Sequence, residues 1–268
     1  MRGIIMKRIM AFCLIGLLSA CVSTTQNKPK ATPVSDKNTF QGDIYPMDKP
    51  IQLKISPAQI KAQMQLIFGD QIPVTIRLKV SEFDQQLKWV IEYRGEDTQD
   101  TKITGSVITD NRGKLSKVEN PFSIENGEKD DLKEFGNLLF HISFNLFLPQ
   151  FSPEPVKDGD VIYIFPNLKE YFGAFGDQDL KIEITSSRVN AVLKGWAYEK
   201  GKKVLVVDIR GQSTWKDLEK SPFEMEFIVN GYSLIDPETG QIVKVELRYT
   251  PRQWKDDYFE VRYSAEIE

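Results

Sequence analysis

Histidine and cysteine, which supply many catalytic groups and metal ligands in proteins, are nearly missing from this sequence. Its 268 residues include one histidine, His141, and two cysteines, Cys13 and Cys21. A serine–histidine–aspartate triad or a zinc site needs several such residues in a fixed arrangement, and neither an H-x-E nor an H-x₃-H pattern is present. We therefore interpret His141 as an ordinary helix residue and predict no metal site and no nucleophilic thiol.

Other motifs for catalysis or cofactor binding are incomplete. The pairs Asp158/Asp160 and Asp177/Asp179 have the spacing of calcium ligands, but neither continues into a calcium-binding loop. The stretch 173–176 has glycines at both ends but lacks the lysine and the serine or threonine of a phosphate-binding loop. Carboxylates lie beside lysine and arginine throughout, so no pair stands out as a general acid and base. The sequence predicts a protein that is not an enzyme and uses no cofactor.

An excess of positive charge and a long hydrophobic run are also missing. The formal net charge of −3 gives no electrostatic footprint for nucleic acid. The apolar run 9–20 is shorter than the roughly 20 residues that a membrane-spanning helix needs. It follows Arg2, Lys7 and Arg8 without an intervening acidic residue, which is the composition of an export signal.

The apolar run ends in Leu18-Ser19-Ala20-Cys21, which resembles the lipobox of bacterial lipoproteins. The resemblance implies that residues 1–20 are a signal peptide and that Cys21 becomes the acylated first residue of the mature chain. Several acyl chains then anchor the protein in a membrane. The next residue is Val22 rather than the aspartate typical of inner-membrane retention. This favours the outer membrane of a Gram-negative host, on its periplasmic side; in a Gram-positive host the protein would lie at the cell surface.

Residues 21–50 are rich in serine, threonine, asparagine, lysine and proline and have no apolar periodicity. Such a composition cannot bury enough surface to offset the entropy lost on ordering. We predict a flexible tether, which as a coil of about 28 residues would span roughly 30 Å.

Alternating apolar and polar residues predict half-buried strands in the rest of the chain. The alternation is clear in 74–80, 180–185, 243–250 and 259–267. Strands with one face exposed to solvent are typical of antiparallel sheets. Turn residues separate them, notably Asp110–Gly113, Glu199–Lys202 and Asp236–Gly240.

Two segments favour helices. Residues 56–69 begin with Ser56-Pro57, end at Gly69, and carry an apolar stripe of Ile60, Met64 and Ile67. Residues 128–149 have acidic residues in the first turn and an apolar face that Phe140, Phe144 and Phe147 widen to most of the circumference. We predict one short and one long helix.

A hairpin sequence occurs twice, at 104–119 and 230–246, and the similarity extends upstream, where 89–96 aligns with 205–212. The order of the matches indicates an internal duplication. The predicted fold class is α+β, mostly antiparallel: two similar β units, 51–125 and 161–268, form curved half-barrel-like sheets that the two helices cover. Residues 126–160 supply the long helix and a proline-rich crossover.

A twisted sheet wrapped around a helix weakly resembles the LolA/LolB lipoprotein carriers. The turn at 155–160 and the hairpin from Gly231 to Val243 resemble uncharacterised bacterial lipoproteins more closely. The resemblance implies a fold and carries no catalytic residues.

Clustered aromatic residues are the candidates for contact with a ligand or a partner. They are Phe140, Phe144 and Phe147 on the long helix, and Tyr171, Phe172 and Phe175 in a glycine-containing loop. Both groups also suit an ordinary core role, filling the sheet or plugging its open end. We predict a lipid-anchored envelope lipoprotein that binds or scaffolds envelope proteins. The alternative is a carrier or sensor of an amphipathic ligand, such as a lipid or an acylated protein, held in the curved sheet.

Overall fold

The computed structural model describes residues 39–68, 70–95, 102–125, 148–164, 182–217, 224–252 and 258–267. These residues form twelve β-strands and no helix. The strands are β1 (Ala58–Phe68), β2 (Asp70–Phe83), β3 (Gln86–Gly95), β4 (Lys102–Thr109), β5 (Leu115–Glu125), β6 (Gln150–Phe151), β7 (Val161–Ile164), β8 (Ile182–Glu199), β9 (Lys202–Asp217), β10 (Glu224–Ile235), β11 (Ile242–Pro251) and β12 (Phe259–Ile267).

All twelve strands belong to one antiparallel sheet in the order β5-β4-β3-β2-β1-β12-β11-β10-β9-β8-β7-β6. Two runs of sequential strands therefore meet where β1 pairs with β12. At this junction Met64 lies opposite Val74 of β2 and opposite Tyr263 of β12. Of the described strands, the first and the last in sequence are thus neighbours in the middle of the sheet.

One face of the sheet, here called the inner face, carries the core. Alternate residues of each strand point to it, as in β2, where Val74, Ile76, Leu78 and Val80 are buried while Arg77 and Lys79 are exposed. Buried apolar side chains from β1–β4 and β6–β12 form a single cluster on this face. Leu53, Ile55, Leu148 and Val156, which lie outside the strands, join the same cluster.

The predicted α+β class is wrong for the described residues, which form one continuous sheet rather than two sheets covered by helices. The clearest error is the short helix at 56–69, because residues 58–68 are strand β1. Ile60, Ala62, Met64 and Leu66 are buried, and the alternate side chains between them are exposed. Alanine, glutamine, lysine and methionine are good helix formers. Pairing with both β2 and β12 overrides that preference.

The predicted long helix, 128–149, lies outside the described residues except for Leu148 and Pro149, which are buried and not helical. The described part of the chain contains no helix long and apolar enough to span a membrane.

The segments that match in sequence occupy β2–β5 and β8–β11, and their turns have similar backbones. The β2–β3 turn consists of Asp84 and Gln85, and the β8–β9 turn of Lys200 and Gly201, all four with positive φ. This is the geometry of the type I′ hairpin turn, whose twist matches that of the strands. In the two longer turns, Gly113 and Gly240 have φ of 88° and 67°.

Each of these longer turns is held by a segment that is distant in sequence. The backbone N–H of Phe151 donates to Arg112 O at 2.8 Å, beside Gly113. In the same way the N–H of Ser56 donates to Thr239 O at 2.9 Å, beside Gly240. Because Phe151 is in β6 and Arg112 adjoins β5, this bond also brings the two ends of the strand order together.

Residues 39–50, which the sequence assigns to the tether, contact the sheet. Tyr45 forms an antiparallel bridge with Trp196 of β8, and Ile51 forms one with Val156. Phe40 packs on a second, smaller apolar cluster on the outer face that includes Tyr232 and Leu234. The chain therefore enters the fold across the ends of β8–β10.

Candidate functional site

The residues that the sequence singles out for function lie outside the described residues. They are Cys21, Phe140, Phe144, Phe147, Tyr171, Phe172 and Phe175, together with His141, Asp177 and Asp179. Their roles stay predictions. The described residues do contain an exposed group of aromatic side chains that sequence reasoning missed.

This group, here called the aromatic cluster, consists of the aromatic residues Tyr45, Trp196 and Tyr198 together with Ile44, which precedes Tyr45 in the chain. The described residues include seven exposed large hydrophobic side chains, and three of them belong to the cluster: Tyr198 is 61% exposed, Tyr45 42% and Ile44 41%. Trp196 is half-buried and lies between its aromatic neighbours. An exposed apolar group of this kind marks a contact surface more often than a scattered single residue does.

The aromatic rings hold one another in fixed positions. Tyr45 stacks on Trp196 with ring centroids 4.7 Å apart and planes 26° from parallel. Tyr198 meets Trp196 edge to face, with centroids 5.3 Å apart. The indole Nε1–H of Trp196 donates to Pro46 O at 3.0 Å. Stacked and edge-to-face pairs are the favoured aromatic geometries, so the exposed rings are pre-organised.

A glycine in β8 permits this contact. Gly195 has a φ of 134°, and a Cβ there would lie 2.3 Å from Tyr45 O. The β8–β9 register shifts between Leu193 and Gly195, which marks a β-bulge. The bulge and the missing side chain allow the backbone of 44–46 to pair directly with Trp196, donating at 2.8 Å and accepting at 2.9 Å.

One lysine contacts the aromatic cluster, and three more lie on the same hairpin. Lys203 Nζ lies 4.4 Å from the centroid of the Trp196 ring, within the range of a cation–π contact. Lys194, Lys200 and Lys202 are also exposed on the same hairpin. The stretch 194–203 contains these four lysines and one acid, Glu199, so its formal charge is 4 − 1 = +3. Glu199 itself lies 3.7 Å from Lys244 Nζ.

The inner face offers a different kind of surface. Phe259 stacks on Tyr249 with centroids 4.5 Å apart and meets Phe227 edge to face at 5.8 Å. All three are buried, as is Tyr263, whose phenol pKa is raised by burial. Trp89 Nε1–H donates to Thr109 Oγ1 at 2.9 Å inside the same core. These contacts are those of a close-packed interior.

The titratable groups of the outer face form structural pairs. Burial raises the pKa of Tyr232 to about 12, and its hydroxyl donates to Glu246 Oε1 at 2.8 Å. Asp160 accepts the N–H of Lys157 at 2.9 Å and closes a turn, and Asp158 in that turn accepts the N–H of the distant Met47 at 2.9 Å. Within the described ranges no three histidine, cysteine, aspartate or glutamate residues are grouped to hold a metal ion.

No protein-family model, curated protein or solved structure matches this chain. Its function therefore has to be inferred from its own residues and their chemistry.

Proposed function

We propose that the chain is a lipid-anchored protein of the cell envelope that acts by binding rather than by catalysis. The observation that carries this proposal is the aromatic cluster, whose exposed rings are fixed by stacking on Trp196. Aromatic side chains that are rigid and exposed supply contact area at little entropic cost, which is why they recur at binding surfaces. The cluster is the surface through which the anchored protein makes its contacts.

The position of the cluster in the sequence supports this proposal. The predicted acylation site, Cys21, is separated from Thr39, where the described chain begins, by the 17 residues 22–38. As a coil, 17 residues would span roughly 23 Å. Ile44 and Tyr45 follow within a few residues, so an anchor at Cys21 would hold the cluster near the membrane of the cell envelope.

The anchor is tested by substituting the acylated cysteine. We expect Cys21→Ser to abolish acylation and to move nearly all of the protein from the membrane fraction to the soluble fraction after a 0.5 M salt wash. The intact mass of the purified protein shows whether acyl chains are attached, and fractionation of cells shows whether the protein is in the membrane or the soluble fraction. Cys13→Ser is the matched control, since Cys13 lies within the predicted signal peptide. An unacylated wild-type protein, or a Cys21→Ser protein that resists the wash after signal removal, would contradict the anchor.

The second candidate is a carrier of an amphipathic ligand. The observation that favours it is the single apolar cluster that β1–β4 and β6–β12 form on the inner face. An amphipathic ligand would bind by inserting its apolar part among these side chains.

Native mass spectrometry with organic extraction separates the carrier from the first candidate. The sample is the chain 22–268, exported to the periplasm without its anchor. A carrier is expected to show an added lipid or acyl mass that is lost on unfolding. Phe140, Phe144 and Phe147 would then be the first residues to substitute. A mass equal to that of the polypeptide alone would contradict the carrier function and leave the aromatic cluster as the proposed binding surface.

A further inference from the structure

We infer that the aromatic cluster and the lysines of the β8–β9 hairpin dock on the anionic headgroup surface of the membrane that holds the anchor. This inference rests on the proposed function, because it assigns the contact partner of the anchored protein. The occupant is a lipid surface rather than a protein, and three observations favour it.

The first observation is that the hairpin projects beyond its neighbours in the sheet. On one side, the pairing of β8 with β7 ends at Val192. On the other side, the pairing of β9 with β10 ends at Leu205. Residues 194–204 therefore extend past the ladders to both neighbouring strands, and Trp196 pairs with Tyr45. Leu193 still exchanges backbone hydrogen bonds with Gly159 and Asp160, and Ala197 and Val204 are buried in the outer-face cluster. The end of the hairpin, residues 198–203, is exposed except for the half-buried Glu199, so it can reach a flat surface.

The second observation is the chemistry of the projecting residues. Tryptophan and tyrosine concentrate at membrane–water interfaces, where an apolar ring and a polar tip are both satisfied. Lysines beside them extend their ammonium groups to lipid phosphates while their methylene chains cover apolar surface. Tyr198, Tyr45 and Ile44 supply the exposed apolar side chains, and Lys200, Lys202 and Lys203 supply the charge.

The third observation is charge complementarity. The whole chain has a formal charge of −3, and residues 1–20 contribute three basic residues and no acid, so residues 21–268 carry −3 − 3 = −6. The stretch 194–203 carries +3 within this acidic chain. A basic segment next to an anchor is attracted to anionic lipid over a distance of about one Debye length.

The tether makes even a weak surface contact effective. The 17 residues between Cys21 and Thr39 can extend to at most about 60 Å. An anchored chain would therefore meet its own membrane at a high effective concentration, and the contact would fix how the sheet is oriented on the membrane.

Cosedimentation with vesicles tests the docking surface without the anchor. The protein is the mature chain carrying Cys21→Ser, and the vesicles contain phosphatidylethanolamine and phosphatidylglycerol at 3:1, or phosphatidylcholine alone. We expect binding to the anionic vesicles, at least tenfold weaker binding to phosphatidylcholine, and loss of most binding in 0.5 M salt. Tyr198→Ser is expected to weaken binding to the anionic vesicles about tenfold.

Phe83→Ser is the matched control for Tyr198→Ser. Phe83 is 41% exposed at the end of the corresponding β2–β3 hairpin and also has a lysine, Lys88, over its ring. This variant should bind like the parent. Should Tyr198→Ser unfold, the double substitution Lys200→Glu and Lys202→Glu alters only exposed side chains and is expected to abolish binding to anionic vesicles.

The results separate the docking surface from the anchor. No binding to anionic vesicles, or equal binding by the parent and the double lysine variant, would overturn the docking surface. If the anchor test succeeds at the same time, the aromatic cluster would be left for a protein partner. If the vesicle test succeeds and Cys21 carries no acyl chain, the docking surface stands and the anchor is wrong.

Discussion

Replacing Gly240 with alanine is expected to destabilise the protein by about 3 kcal/mol. Gly240 has a φ of 67°, and a left-handed backbone costs a residue with a Cβ roughly 1–2 kcal/mol. The added Cβ would also lie 2.2 Å from Lys54 O, so the backbone of one of the two segments has to move. Overpacking of this kind costs typically 1–3 kcal/mol more. The free energy of unfolding in urea, with and without the substitution, measures the loss.

Gly201→Ala isolates the backbone contribution. Gly201 has a φ of 78°, but a Cβ there would meet no atom within 4 Å. We expect a loss of only about 1 kcal/mol, as left-handed strain alone predicts. Equal losses for the two variants would mean that the contact between the turn and Lys54 is not tight. A near-neutral Gly240→Ala would overturn the geometry of this turn.

The second large effect is expected at Glu260, a buried carboxylate held between two arginines. Arg248 Nε donates to Glu260 Oε1 at 3.0 Å, and Arg262 donates to Oε2 at 2.9 Å. The Arg248 guanidinium also lies 4.1 Å from the centroid of the Tyr258 ring. Removing one partner of a buried ion pair leaves the other charge uncompensated, which costs roughly 3–5 kcal/mol.

We expect Glu260→Ala to cost about 3 kcal/mol, the lower end of this range, because Arg262 is half exposed and can regain water. Chemical denaturation at neutral pH measures the loss. The control is Glu226→Ala: Glu226 accepts two bonds from Arg252, at 3.1 and 2.8 Å, but this pair is exposed. An exposed pair contributes about 0–1 kcal/mol. If Glu260→Ala is as mild as the control, the buried pair does not stabilise the fold.

Strand positions could be predicted from sequence where one face of the strand is apolar and the other charged. In β11, Val245, Leu247 and Tyr249 are buried, as their alternation with Glu246 and Arg248 indicates. The turns at Asp110–Gly113 and Asp236–Gly240 could also be predicted, because their last residue has a positive φ, which favours glycine. The error at β1 has the opposite cause. Its exposed positions hold lysine and glutamine, which occur on the surfaces of helices and strands alike. Only the pairing with β2 and β12 therefore determines that the segment is a strand.

The aromatic cluster could not be predicted in the same way. Tyr45 and Trp196 are 196 − 45 = 151 residues apart, and no local pattern connects them. Tyr45 also lies in a segment whose composition is that of a tether. The alternation of Trp196 with Tyr198 beside four lysines was a usable signal, since it places two aromatic side chains on one face of a hairpin. Without Tyr45 beside it, however, the same stretch is equally typical of an ordinary hairpin turn.

The pairing of β1 with β12 sets an order of events for the newly made chain. Among the described strands β1 is synthesised first, and β12, one of its two neighbours, is synthesised last. Until residues 259–267 emerge, β1 presents a row of unpaired backbone groups along one edge, which is a template for aggregation. Pairing between strands so far apart in sequence also forms slowly. The chain therefore passes through an interval during its synthesis in which the β1 edge, at the middle of the finished sheet, is unprotected.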